Sequence, residues 1–177
     1  MPSQGPLSAG AGANIAGPNT DWATPGNVTV SDDSRATAAL AISGASDGLQ
    51  MTAFGFSIPA GATINGFVVE IEKSMTGAGT INDASVFLVK GGVVVGTDHG
   101  VVPAWPATDA FTTYGSSSDL WGTTWTVAQV NASNFGVEIA ALEAGVNTAT
   151  ARVDFGRITV YYTLPAARSF SPGIFGL

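Results

Sequence analysis

The chain has 177 residues, of which 45% are apolar and 11% charged, with a net charge of −7 and no cysteine. It is too apolar for a disordered chain, and its scattered basic residues exclude an electrostatic nucleic-acid site or a polybasic membrane anchor. The missing cysteines exclude disulfides and zinc–thiolate sites. Ordinary domains have roughly 25% charged residues, so we expect part of this surface to be covered by a partner.

Residues 1–20 consist mainly of glycine, alanine, serine, proline and asparagine, with no charge before Asp21. Such a segment cannot bury enough apolar surface to fold alone, which predicts a flexible N-terminal arm. The arm is either loose or bound to a neighbouring subunit.

From residue 21 to residue 163, short apolar segments alternate with turn signals, which predicts a single β-sandwich domain. The clearest alternation is at 66–73, where Phe67, Val69 and Ile71 oppose Glu70 and Glu72. The other predicted strands are 36–42, 50–58, 84–90 and 93–97, the last two joined by a Gly-Gly hairpin turn.

The second half of this domain continues the pattern. Residues 112–126 read as a long loop with some strand, and Thr126 to Gln129 has the spacing of a helix capping box. Strands are predicted at 134–140 and 151–163, the latter apolar on both faces and therefore central in its sheet. The predicted fold is all-β, an antiparallel β-sandwich of jelly-roll type with extended N- and C-terminal arms.

Residues 164–177 form a predicted apolar C-terminal tail that contains Phe170, Ile174 and Phe175. Apolar side chains on a tail are typical of contact sites, so the tail either folds back on its own domain or inserts into a partner.

Motifs for catalysis are weak. His99 is the only histidine, and its neighbour Asp98 points away from it in an extended segment. Glu70 and Glu72 share a strand face but are better explained as solvated side chains. Loop carboxylates such as Asp32, Asp33 and Asp47 lack EF-hand spacing. We therefore predict a non-enzymatic protein without cofactor, catalytic residues or metal ligands.

Aromatic residues concentrate between Trp105 and Trp125. They either pack a long loop onto the core, form a partner interface, or stack on sugars. The predicted interface residues are Trp22, Trp105, Phe111, Tyr114, Trp121, Trp125, Phe170, Ile174 and Phe175.

Several of these segments, in this order, resemble a class of tailed-bacteriophage virion protein. They are WATPGN (22–27), FGFSIPAGATING (54–66), VVEIE (68–72), TYG (113–115), DLWGTTW (119–125), VNASNFGV (130–137) and VYY (160–162). The resemblance implies a β-sandwich of the capsid decoration (cement) type or of the tail and fibre type, without catalytic residues.

Three hypotheses follow. The first is a capsid decoration protein on the virion surface, a homo-oligomer and specifically a trimer, whose arms bridge copies of the major capsid protein. The alternative is a tail, baseplate or fibre module that binds a host-surface glycan through the Trp105–Trp125 span. The third is a hydrolase that depends on His99.

Overall fold

The computed structural model describes residues 1–166. In this part of the chain ten strands account for most of the regular structure, with one 3₁₀ turn at Pro25–Val28 and one short helix. The elements are β1 (Ser3–Ser8), β2 (Ala11–Ile15), β3 (Ala36–Leu40), β4 (Gly48–Thr52), β5 (Thr63–Gly77), β6 (Ile81–Lys90), β7 (Val93–Val95), β8 (Ala110–Ser116), α1 (Val127–Val130), β9 (Gly136–Glu143) and β10 (Ala149–Thr163).

The strands form two antiparallel sheets that face each other across one core. Sheet A has the order β1-β10-β5-β8, with β3 pairing the other half of β10. Sheet B has the order β2-β4-β9-β6-β7. From β3 onward the chain changes sheet at nearly every connection, which is the connectivity of a jelly roll. The predicted β-sandwich is confirmed.

Alternation along β5 sets which side chains enter the core. Phe67, Val69 and Ile71 are fully buried between the sheets, while Glu70 and Glu72 face outward, as predicted. Because successive strand residues point to opposite faces, the odd positions from Phe67 to Lys73 face the core. β5 is also longer at both ends than the sequence pattern indicates.

β10 is central in sheet A, as predicted, but its faces differ from strict alternation. The register shifts between Val153 and Phe155, where one extra residue forms a β-bulge. Val153 faces the core before the bulge and Ile158 after it, so Phe155 and Arg157 face outward. Simple alternation in the sequence cannot predict which of these side chains face the core, because the bulge switches the inward and outward positions along β10.

Two local predictions are confirmed. Gly91 and Gly92 join β6 to β7 with φ values of 64° and 83°, a conformation that glycine adopts without strain. At α1 the Thr126 hydroxyl accepts from the Gln129 N–H, and the Gln129 side chain accepts from the Thr126 N–H. In the described range, no helix is long and apolar enough to cross a membrane.

The structure corrects the prediction of a flexible arm over residues 1–20. β1 pairs with β10 and β2 pairs with β4, so this segment supplies an edge strand to each sheet. Leu7 packs against the core and Ala9 is buried in it. The prediction weighed side-chain burial alone, whereas backbone hydrogen bonds to a neighbouring strand can hold a segment of small residues.

Candidate functional site

Four of the predicted interface residues lie inside the sandwich. Trp22, Trp105, Tyr114 and Trp121 are each at most 3% exposed. Packing therefore accounts for these rings, and they are not available to a partner or a glycan in this fold. Phe170, Ile174 and Phe175 lie outside the described residues.

Trp105 and Tyr114 point into the core, where each donates a hydrogen bond to the acidic member of a buried ion pair. Lys73 lies on the core side of β5 and forms an ion pair with Asp83, with at most 2% of either side chain exposed. Asp83 also accepts from Trp105 Nε1 at 2.7 Å, Tyr114 Oη at 2.9 Å and the Val101 N–H at 3.0 Å. Burial lowers the pKa of Lys73, against the opposing attraction of Asp83, and burial raises the pKa of Tyr114. This polar centre ties sheet A to sheet B.

Trp121 is covered by the only histidine of the chain. The His99 ring stacks on it with 4.0 Å between ring centroids. His99 Nε2 lies 2.7 Å from Asp119 Oδ2, and Nδ1 lies 3.0 Å from the Thr97 carbonyl oxygen. Burial alone raises the pKa of Asp119. The hydrogen bonds from the Trp121 N–H and from His99 lower it by more, so this pKa lies below its ordinary value. Asp119, and not the adjacent Asp98, is therefore the carboxylate that orients His99.

Trp125 is the one partly exposed tryptophan. Its ring makes edge contacts with Phe67 and Phe135, at centroid distances of 5.0 and 5.3 Å, and its Nε1 donates to the Leu120 carbonyl at 3.0 Å. The Lys90 ammonium lies 4.5 Å from the ring centroid. Trp125 thus belongs to the edge of the core and borders a surface pocket.

Phe111 is the exposed ring of the aromatic span, with 42% of the residue accessible. It stands on β8 directly opposite Glu72 of β5, and Glu72 is opposite Phe155 of β10. Directly opposed residues share a sheet face, so all three project from the outer side of sheet A. Phe155 meets the Phe111 ring edge to face, with 6.3 Å between centroids.

Arg157 fixes the Phe111 ring from the neighbouring row. Its guanidinium carbon lies 4.4 Å from the Phe111 ring centroid. Its Nε and Nη2 atoms donate to the two carboxylate oxygens of Glu70 at 2.9 and 3.0 Å. We call the five outward side chains of Phe111, Glu70, Glu72, Phe155 and Arg157 the Phe111 face. The Phe111 ring therefore packs against both Phe155 and Arg157, and Glu70 fixes the orientation of the guanidinium.

Among the described residues, two carboxylates in this part of sheet A each have one oxygen without a hydrogen-bond partner. Glu72 Oε2 and Asp154 Oδ1 are buried without a hydrogen-bond partner among residues 1–166. Burial raises the pKa of Asp154, and the nearby charges of Glu72 and Asp109 raise it further. Asp109 itself is satisfied, since it accepts from Arg35 Nε at 2.8 Å and Ser74 Oγ at 2.5 Å. Arg152 Nε is a buried donor that also has no partner among residues 1–166.

The remaining carboxylates considered for metal binding serve local structure. Asp47 accepts from the Gly17 and Asn19 N–H groups at 2.6 and 3.0 Å, and Asp32 accepts from the Ser34 N–H at 3.0 Å. Within residues 1–166, no three His, Asp or Glu side chains come together to hold a metal ion.

Sequence reasoning named Phe111 but missed Phe155 and Arg157. Nothing local marks these two residues, because they meet Phe111 only through the pairing of β8, β5 and β10. The alternation of β5 gave the outward direction of Glu70 and Glu72, but the bulge in β10 hid that of its partners.

No protein-family model and no curated protein matches the chain. Two solved structures are similar in fold. One is described as "CBM4 structure and function". It has 13% sequence identity and a TM-score of 0.40, and the alignment covers 86% of this chain and 92% of that structure's chain. The other is the N-terminal cellulose-binding domain of β-1,4-glucanase C from Cellulomonas fimi, with 12% identity and a TM-score of 0.37 over 93% of this chain and 99% of its own.

These findings overturn the prediction of a capsid decoration protein. One of the similar structures is described as a CBM4 and the other as a cellulose-binding domain, and neither is described as a virion protein. The predicted N-terminal arm is missing as well, since that segment is built into both sheets of its own sandwich, and the predicted C-terminal tail lies largely outside the described residues. That prediction is wrong.

Proposed function

We propose that the chain is a non-catalytic module that binds glycans on the Phe111 face. The observation that carries the proposal is an exposed aromatic ring, Phe111, held in place by Arg157, which is itself held by both oxygens of Glu70. TM-scores of 0.40 and 0.37 carry no argument for a shared ligand, so the proposal rests on the face itself.

The chemistry of this face suits a sugar. An aromatic ring offers a flat apolar surface to the C–H face of a pyranose, and Phe111 is exposed enough to do so. Around the ring, Arg157 supplies planar donors and the carboxylate of Glu70, whose side chain is 23% exposed, supplies acceptors. Sugar hydroxyls both donate and accept, so they can complete the hydrogen bonds that the protein leaves open. Because the ring is fixed in advance, little conformational entropy is lost on binding.

The face is long enough for a chain of sugars. Tyr161 is outward and half-buried on β10, opposite Gly66, whereas Phe111 is opposite Glu72. The two β5 partners are six residues apart (72 − 66), which is about 20 Å at 3.3 Å per residue. We therefore propose an extended oligosaccharide as the ligand class, with Phe111 near one end and Tyr161 near the other.

The proposed setting comes from the sequence. The segments between residues 22 and 162 that resemble tailed-bacteriophage virion proteins lead us to assign the module to a tail, baseplate or fibre, with a host-surface glycan as its ligand. Several copies in a homo-oligomer would add avidity to weak single contacts.

Binding can be tested by affinity electrophoresis and calorimetry on a panel of soluble polysaccharides and their oligosaccharides. We expect Phe111→Ala to weaken binding at least about tenfold, the equivalent of 1.4 kcal/mol, without lowering Tm. Phe111→Tyr should keep the affinity, because it keeps the ring. Longer oligosaccharides should bind more tightly than monosaccharides.

The matched control is Val94→Ala, which removes an exposed apolar side chain from sheet B. It should bind as the wild type does. Equal affinity of the wild type and Phe111→Ala for every glycan that binds, or no binding across the whole panel, would contradict the proposal.

A further inference from the structure

Two arginine side chains cross the outer side of sheet A beside the Phe111 face. Arg35 immediately precedes β3, and Arg152 lies on β10, which separates β3 from β5. Both reach the loop that leads into β8, on the opposite margin of the sheet. Arg35 Nε donates to Asp109 Oδ2 at 2.8 Å, and Arg152 Nη2 donates to the Ala107 carbonyl oxygen at 3.1 Å. We call these four residues the arginine bridge.

The burial of Ser74 shows that the arginine bridge stands above the sheet. Ser74 on β5 follows the core-facing Lys73 and therefore points outward, yet it is fully buried. Its hydroxyl donates to Asp109 Oδ1 at 2.5 Å, and Arg152 is directly opposite it on β10. A side chain that the pleat directs toward solvent is buried when other groups cover it. Asp109 and the arginines provide that cover.

The arginine bridge lies next to the Phe111 ring. Phe111 is opposite Glu72, and Ser74 lies two residues farther along β5, a distance of about 7 Å. Asp109 likewise precedes Phe111 by two residues. This spacing leaves room for the one sugar ring that stacks on Phe111. The bridge occupies the place where the next sugar in this direction would lie.

In the opposite direction the side chains of the Phe111 face remain accessible. Thr113, the next outward residue of β8, is exposed, and Glu70 and Val68 on β5 are half-buried. Tyr161, at the far end, is half-buried as well. A glycan that begins at Phe111 can therefore extend toward Tyr161, whereas the arginine bridge stops it on the other side.

The sheet itself continues beyond the arginine bridge. There the outward residues Ala39, Thr150 and Thr76 lie in one row across β3, β10 and β5. They line a hollow of about 440 Å³. The limit of the Phe111 face on this side is therefore set by the bridge and not by the edge of the sheet.

We propose that the Phe111 face binds the end of a glycan chain and not an internal segment, with the terminal sugar on Phe111 against the arginine bridge. This inference rests on the glycan-binding function proposed above. Arg35 and Asp109 determine the specificity, because their ion pair closes the face. The stop is firm, since Arg35 Nη1 also donates to the Asp33 carbonyl oxygen at 2.8 Å.

The number of protein chains bound per glycan chain tests this proposal. The probe is an unbranched polysaccharide that binds the wild type, divided into short, intermediate and long fractions and titrated by calorimetry. An unbranched glycan has one end of each kind whatever its length, so we expect one bound protein chain per glycan chain in every fraction. A number that grows in proportion to glycan length would overturn end recognition and leave glycan binding intact. No binding by any fraction would overturn both.

Removing the ion pair should convert the site to one that accepts internal segments. The double variant Arg35→Ala/Asp109→Ala removes both charges together, so neither is left uncompensated. We expect several bound protein chains per long glycan chain, with an unchanged number for the short fraction. The control is Asp33→Asn, because the Asp33 side chain also pairs with Arg35 but is 82% exposed. It should keep one protein chain per glycan chain. An unchanged number for the folded double variant would overturn the role of Arg35 and Asp109 as the stop.

Discussion

Asp83 compensates the buried ammonium of Lys73 and accepts from three further donors, Trp105, Tyr114 and the Val101 N–H. Asp83→Ala should lower the free energy of unfolding by about 3–5 kcal/mol, since it leaves the charge of Lys73 uncompensated in the core. Chemical denaturation measures this loss.

Asp32→Ala is the control for that substitution, because Asp32 is exposed and makes one local hydrogen bond. Its effect should stay within about 0.5 kcal/mol. Equal effects of the two substitutions would contradict a structural role for the buried ion pair.

Asp154, in contrast to Asp83, destabilises the folded state at neutral pH. Its pKa is raised from the ordinary 3.8 by burial and by neighbouring carboxylates. The folded state therefore binds this proton more tightly than the unfolded state, so stability falls as pH rises from 3.8 through the raised pKa. Asp154→Asn removes the buried charge and should raise Tm at pH 7.

The gain in Tm from Asp154→Asn should vanish as the pH falls below 3.8, where the carboxyl is protonated in both states. Thermal melts from pH 3 to pH 8 follow the difference between variant and wild type. A Tm difference that grows as the pH falls would contradict the raised pKa of Asp154.

Among the elements, those with a strong local signal could be predicted from sequence. The alternation of Phe67, Val69 and Ile71, the Gly91-Gly92 turn and the capping box at Thr126 all appear as expected. The predictions that failed concern contacts between residues that are distant in the chain. β1 and β2 exist because β10 and β4 offer free edges, and the outward direction of Arg157 follows from a bulge.

The same limit applies to the candidate site. Tryptophans attract a functional interpretation wherever they cluster, yet Trp105 and Trp121 are core residues here. Trp105 donates inward to Asp83, the partner of Lys73, a residue that alternation places inward but that charge suggests should face solvent. The exposed member, Phe111, looks no different in sequence from its buried neighbours.

The role of β1 as an integral edge strand can be tested with one side chain. Leu7 packs against the core opposite Ile158. Leu7→Ala should destabilise the fold by about 1 kcal/mol, below the value for a fully buried leucine because Leu7 is only partly buried. Ile15→Ala on β2, where the side chain is 42% exposed, should cost much less. A neutral Leu7→Ala variant would favour a loose arm after all.

At the scale of the whole molecule, the 11% of charged residues still leads us to expect self-association. Exposed apolar side chains such as Val30, Ile42, Val93 and Val102 come from separate loops and an edge strand. Sedimentation equilibrium should give a mass above that of one chain at micromolar concentration, while a mass of one chain across the accessible range would contradict self-association.

The central claim is that an extended glycan lies along the outer side of sheet A. Its most direct test is an ¹⁵N-resolved NMR titration of the wild type with an oligosaccharide that binds. The account predicts shifts along β8, β5 and β10 around Phe111, Glu72 and Arg157, and none along sheet B. Shifts confined to sheet B, or centred on Trp125, would contradict it.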